Sequence, residues 1–181
     1  MWRNMTRRVG RVAFAALAVV IAGSVAGTAV AAASPAPQPN YVSGFGVRAA
    51  SCASGCPTPL FWIEARSLAG GVDPTGWMGV DIPGLASWSG HVVCLNVIGN
   101  QATIVGQMDT ASGTDVAVGG YFMTVVWDNG VSPDKMSLID WGTSVSDAFG
   151  SYSVAQVCAE PTLILGSPLP QFGVSGIIHV N

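Results

Sequence analysis

Residues 91–107, HVVCLNVIGNQATIVGQ, constrain this chain more than any other stretch, because two apolar runs meet there across a Gly99-Asn100 step. A Gly-Asn pair between runs of β-formers reads as a hairpin with a two-residue type II′ or I′ turn. The turn sets the register. Ile98 flanks it opposite Gln101, and counting outward pairs Val97 with Ala102, Leu95 with Ile104 and Val93 with Gly106, all apolar or small. The alternate pairs are Asn96 with Thr103, Cys94 with Val105 and Val92 with Gln107. A slip of one residue would drive Asn96 and Thr103 into the core, so the turn and the pattern agree on one register. Val93, Leu95 and Val97 are therefore expected on the core side, with a mixed outer face of which one side is wet. Cys94 falls on that outer face and is expected to be bridged.

The chain opens with Arg3, Arg7, Arg8 and Arg11, followed by an unbroken apolar run over residues 12–22 and small residues up to Ala33. This is the pattern of a secretory signal peptide, with cleavage expected after residue 33. The run is shorter than the roughly 20 residues a spanning helix needs. Arg7-Arg8 raises a twin-arginine route, but hydrophobic residues do not follow the pair closely, and the general export route is preferred. The expectation is a secreted protein, extracellular or in the cell envelope, with no membrane attachment once the signal is removed.

Removing residues 1–33 takes four Arg and no acid. It leaves Arg48, Arg66 and Lys135 against all ten acidic residues, a net charge of −7. So acidic a chain disfavours nucleic acid and anionic membrane surfaces as partners. Residues 34–40, SPAPQPN, alternate Pro without periodicity and read as a semi-extended linker.

Residues 41–181 are then one β-domain, of a size that supports a full core. Short runs of β-formers recur at about 41–49, 60–67, 76–82, the two arms of the central hairpin, 120–127, 135–141, 152–158 and 174–180, with Gly, Pro, Asn or Asp punctuating most gaps. The expectation is an all-β antiparallel barrel or sandwich of about eight short strands. A barrel is favoured because a strand near each terminus can pair and hide two edges.

Four cysteines in an exported domain most simply make two disulfides. Four cysteines allow three connectivities; Cys52 and Cys56 enclose a three-residue loop flexible enough to close on itself, and Cys94 and Cys158 would then pair. A metal held by four thiolates usually draws on two close pairs, and these four are not spaced that way. Asp128-Asn129-Gly130, with Asp134 nearby, reads first as a turn in which Asn-Gly supplies positive φ and the Asp side chain bonds its own backbone. The calcium alternative lacks the alternating acids and distal Glu of an EF-hand.

Five tryptophans remain after the signal: Trp62, Trp77, Trp88, Trp127 and Trp141. Trp77 and Trp88 stand beside Gly- and Pro-rich connections, GVDPTGWMG and GLASWSG, where a ring can be exposed to stack on a sugar or another planar ligand. These two are the candidate ligand-binding residues. No catalytic set emerges. His91 and His179 each lie in or beside an apolar run, no Ser sits in a Gly-x-Ser-x-Gly elbow, and nothing in the spacing of the acids selects a pair. No phosphate loop, zinc-protease helix or cofactor motif occurs.

The runs Val93-Cys94-Leu95-x-Val97-x-Gly99-Asn100-x-Ala102-Thr103-Ile104, Val125-x-x-Asp128-Asn129-Gly130 with Pro133-Asp134, and Gly176-Ile177-x-His179-Val180 resemble a family of secreted β-proteins common in actinobacteria. The resemblance covers residues 41–181, most clearly 91–141, and implies fold and export but no catalytic residues. Cys52, Cys56 and the 142–172 region depart from its pattern. The preferred reading is a non-catalytic secreted domain that binds an extracellular ligand or protein partner. The alternatives are a small hydrolase using His91 or His179 with a carboxylate, and a barrel holding an apolar ligand against the Val93, Leu95 and Val97 face.

Overall fold

The computed structural model describes residues 38–50 and 56–181. The signal segment, most of the linker and Cys52 lie outside the described residues.

The described residues form nine strands: β1 (Asn40–Arg48), β2 (Leu60–Ser67), β3 (Thr75–Ile82), β4 (Ala86–Ile98), β5 (Gln101–Gly113), β6 (Tyr121–Trp127), β7 (Lys135–Met136), β8 (Asp140–Gly142) and β9 (Phe172–Val180). Each of β1 to β6 pairs antiparallel with the next. The sheet then returns through β7 and β9 to β1, which closes an eight-stranded barrel. β8 lies along β6 beyond the end of β7, as a continuation of one broken strand. The two terminal strands do pair, Val42 with Val180 through Arg48 with Val174, so neither edge is open there.

The central hairpin has the expected register from Ile98–Gln101 back to Cys94–Val105. Gly99 takes a φ of 62° while Asn100 stays out of the left-handed region, which fits a type II′ turn. Beyond Cys94 the expectation fails by one residue. A bulge at Val93 makes Val92 the partner of Gly106, so Val92 points into the barrel and Val93 outward. A bulge places two residues against one, and inverts every face call past it. A second bulge leaves Asp109 as the extra residue of β5, between Met108 opposite Gly90 and Thr110 opposite Ser89.

The barrel interior is packed by large side chains. Phe61, Met78, Leu95, Ile104, Met108, Phe122 and Met136 are each at most 2 % exposed. Small residues make room for them: a Cβ at Gly106 would fall inside the Phe122 ring. Trp88 is also inside, 2 % exposed and stacked on Phe122 with ring centroids 4.3 Å apart. The expectation that Trp88 is exposed beside its glycines is thus corrected. Strand alternation puts Ala86, Trp88, Gly90 and Val92 on the inner face, and alternation outranks proximity to a turn.

The run at 152–158, expected as a strand, is helical. Three short helices, α1 (Val145–Phe149), α2 (Val154–Ala159) and α3 (Thr162–Leu165), connect β8 to β9. The start of α2 is a capping box: Ser153 accepts from the Gln156 N–H and the Gln156 side chain accepts from the Ser153 N–H. That Ser-x-x-Gln spacing was present in the sequence and outweighs the β-forming Val and Tyr around it. The helices cover the outer face of β4, β5 and β6, where Val105, Met123, Val125 and Trp127 pack on Phe149, Val157 and Leu165 as a second core. Cys94 on β4 is bonded to Cys158 on α2, and Asn96 Nδ2 donates to the Cys158 carbonyl at 3.2 Å. The hairpin face expected to be partly wet is therefore a buried interface. Cys56 is disulfide-bonded as well.

Candidate functional site

Among the described residues, nothing forms a second layer over the barrel wall opposite the helices. Its outward positions come from the odd residues of β1, β3 and β9, the odd residues of β4 before the bulge at Val93, and the even residues of β2. Phe45 stands between Ile177 on β9 and Trp62 on β2, and Trp77 stands between Glu64 on β2 and His91 on β4. Phe45 is 64 % exposed, Ile177 49 % and Trp77 45 %. Ile177, Phe45 and Trp62 form one row across the strands, and Trp77 stands in the next row beside Trp62. Neighbouring outward large apolar side chains are unusual on a strand face that meets water, and such patches mark binding surfaces.

Trp62 and Trp77 form a tilted pair with centroids 6.4 Å apart. The Trp62 indole lies over Gly79, its partner on β3, where a Cβ would collide with the ring. Glycine at that position is what lets the indole lie against the sheet. A groove of about 280 Å³ runs beside Trp62 and is lined by the hydroxyl residues Ser87, Ser89, Thr110 and Ser112. Ser89 Oγ and Thr110 Oγ1 are 2.7 Å apart. A second groove of about 260 Å³ runs beside Trp77, with Tyr41, Glu64, Arg66 and Thr75. Of the two tryptophans singled out from sequence, Trp77 is in this site. Trp88 contributes to the lining of the first groove from its place in the core. Trp62 was missed; the alternation of LFWIEARS, with Phe61, Ile63 and Ala65 inward, was the signal that puts Trp62 outward.

The histidines fall on the same side. His91 Nδ1 lies 2.8 Å from Asp109 Oδ1, a pair made by the β5 bulge, which turns Asp109 toward β4. Both side chains are about half exposed. Among the described residues no hydroxyl is hydrogen-bonded to His91 Nε2, so the pair has an orienting carboxylate and no attached nucleophile. His179 is exposed on β9 opposite Ser43.

The Asp128 loop does turn and closure chemistry. Asp128 Oδ1 accepts from the Gly130 N–H at 2.9 Å, and Gly130 has a φ of 62°. Its Oδ2 accepts from Val180 on β9 at 3.2 Å, while Asp134 accepts from Asn129 at 3.0 Å and Ile178 at 2.7 Å. Since β7 reaches only Phe172 and Gly173, these carboxylates stand in for strand carbonyls along the rest of β9. All four oxygens are thus committed to backbone donors. Among the described residues no group of three or more metal-ligating side chains is assembled.

Two carboxylates beside α1 are shifted in opposite directions. Burial raises the pKa of Asp140, offset in part by its bond from the Trp141 N–H and reinforced by the charge of Asp147. Bonds from the Thr143 N–H and hydroxyl lower that of Asp147. Both groups organise the β8–α1 connection, away from the tryptophan pair. Among the described residues no helix is long and apolar enough to cross a membrane. Comparison of the chain with protein-family profiles, curated proteins and solved structures finds no match.

Proposed function

We propose that this protein is a non-catalytic, secreted binding domain whose bare barrel wall takes a neutral carbohydrate. The observation that carries the reading is the Trp62–Trp77 pair, Trp77 exposed and Trp62 half-buried, on a sheet face that no other described segment covers, between two grooves lined by hydroxyl and other polar side chains. An indole offers a flat apolar face to the C–H side of a sugar ring, and nearby hydroxyls exchange hydrogen bonds with its edge. A mature charge of −7 repels acidic glycans, so the ligand class is neutral. Export is part of the reading, supported by the signal-like first 33 residues and by a domain stapled with disulfides.

The test is a titration of cellohexaose, xylohexaose and chitohexaose, followed by tryptophan fluorescence and calorimetry, on the intact protein and on Trp62→Ala and Trp77→Ala. One oligosaccharide is expected to bind, with affinity reduced about tenfold or more in either variant, a loss of about 1.4 kcal/mol or more per indole. Absence of binding by all three, or binding that both variants retain, overturns the reading. Concentration-dependent self-association abolished by Phe45→Ser would reassign the face to a second copy of the chain.

A hydrolytic reading is kept alive by the His91–Asp109 pair alone. It requires ester or glycoside turnover that His91→Ala removes, and equal background rates for the two proteins dismiss it. An apolar ligand inside the barrel has less support, because the inner face is filled by Phe61, Trp88, Phe122 and the methionines, and Val93 faces the helices.

A further inference from the structure

Arg48 is one of only three basic residues after residue 33, and the structure buries it. It follows Val42, Gly44 and Gly46 on the inward parity of β1 and comes at the end of the strand, so its side chain enters the mouth of the barrel. It is 5 % exposed. Its Nε and Nη1 have no hydrogen-bond partner, and among the described residues no carboxylate lies within ion-pair distance. The contact that faces the charge is the Phe172 ring, 4.7 Å from Cζ. A guanidinium remains protonated even where burial lowers its pKa, as it does here. The protein therefore holds a buried positive charge with two unpaired donor nitrogens, which carry three N–H groups. Such a group is costly unless something pairs with it.

The surroundings restrict what that is. Arg48 lines a cleft of about 200 Å³ whose other walls, among the described residues, are predominantly apolar and include Pro57, Pro59, Ile82, Leu85 and Ile139. This is a second site, on the inner face at the barrel end, separate from the Trp62–Trp77 wall. Apolar walls with one convergent charge select a ligand with an apolar body and one opposite charge. A dianion would leave one charge uncompensated in a low-dielectric setting, and a neutral molecule would leave the guanidinium unpaired. The volume is below the roughly 300–1,000 Å³ of drug-sized sites, which requires a compact ligand. We propose that this cleft binds a small monocarboxylate with an apolar body, its carboxylate accepting from the free N–H groups of Arg48.

The test uses the intact, oxidised protein and follows the Arg48 Nε–H resonance by NMR while benzoate or octanoate is added. Benzamide and inorganic phosphate are the neutral and multiply charged controls. The expected result is a saturable shift of that resonance with at least one carboxylate, none with benzamide or phosphate, and about tenfold or weaker binding in Arg48→Met. Preference for benzoate over octanoate would assign an aryl acid as the source, and the reverse an alkyl acid. The proposal is overturned if neither carboxylate moves the resonance, if benzamide or phosphate moves it as far, or if Arg48→Met binds unchanged. Should Arg48→Met fail to fold, the wild-type resonance and the charge-retaining Arg48→Lys decide alone.

Discussion

The two halves of the barrel wall are built from the same inner face and differ on the outer one. Over β6 and the hairpin end of β4 and β5 the outer residues are mostly apolar, and three short helices cover them, clamped by the Cys94–Cys158 bridge. Over β9, β1, β2, β3 and the first half of β4 the outer face alternates polar residues with Phe45, Trp62, Trp77 and Ile177, and no other described segment covers it. The lesson is that outward aromatics mean different things on the two sides. Trp127 on the covered side is 8 % exposed and is core, whereas Phe45 and Trp77 contribute little burial and are available for contact.

This contrast can be broken most directly by truncating one aromatic on each side. Phe149→Ala removes a side chain that is 0 % exposed between α1 and β6, and should cost about 3–5 kcal/mol in denaturant titration. Phe45→Ala, at 64 % exposure, should stay within about 0.5 kcal/mol of the parent. Similar losses for the two would mean that the bare wall is structural after all.

The disulfide sharpens the same comparison. It closes a segment of 64 residues, for which the chain-entropy account gives about 4 kcal/mol, less any native strain. Cys94→Ser with Cys158→Ser should lower the melting temperature sharply. Amide exchange should accelerate in the helices and the outer face of β4 and β5, and remain slow in β1 and β2. A uniform acceleration across the barrel would show that the helical layer and the barrel unfold as one unit.

The smallest effect concerns Asp140, at the edge of the covered half. Its raised pKa means that the folded state disfavours the carboxylate, so the penalty is present above the folded pKa and fades as pH falls through it. Asp140→Asn should therefore stabilise by a few tenths of a kcal/mol at neutral pH, with the gain disappearing in acid. Asp147 runs the other way. Its lowered pKa contributes stability above the ordinary carboxylate range that is lost as pH falls through the folded value. Thermal melts of Asp140→Asn and Asp147→Asn across pH 3–7 check the two signs, the first gaining and the second losing stability at neutral pH relative to acid.

Much of the architecture was legible. The Gly99-Asn100 turn and the apolar alternation beside it specify a hairpin and its register as far as Cys94, because a two-residue turn leaves the strands no other alignment. The helices were not, since α1 to α3 span four to six residues each and amphipathic periodicity needs longer segments to register. The covered face did leave a trace in YFMTVVW, apolar at consecutive positions of β6, which is the pattern of a strand buried on both sides. Trp77 was legible as a candidate; Trp62 and Arg48 required knowing which parity of β2 and β1 faced inward.

By itself the sequence determined an antiparallel β-domain and the hairpin register as far as Cys94, because turn chemistry and alternation act locally; which of three possible partners Cys94 takes was settled by the structure, as Cys158. Only the tertiary structure decided the closure of the sheet through β9, which wall the helices cover, and the burial of Arg48 beside Phe172. Each of those depends on which face of a strand meets which distant segment. Two bulges in β4 and β5 reset that choice in mid-strand, where neither composition nor spacing marks them.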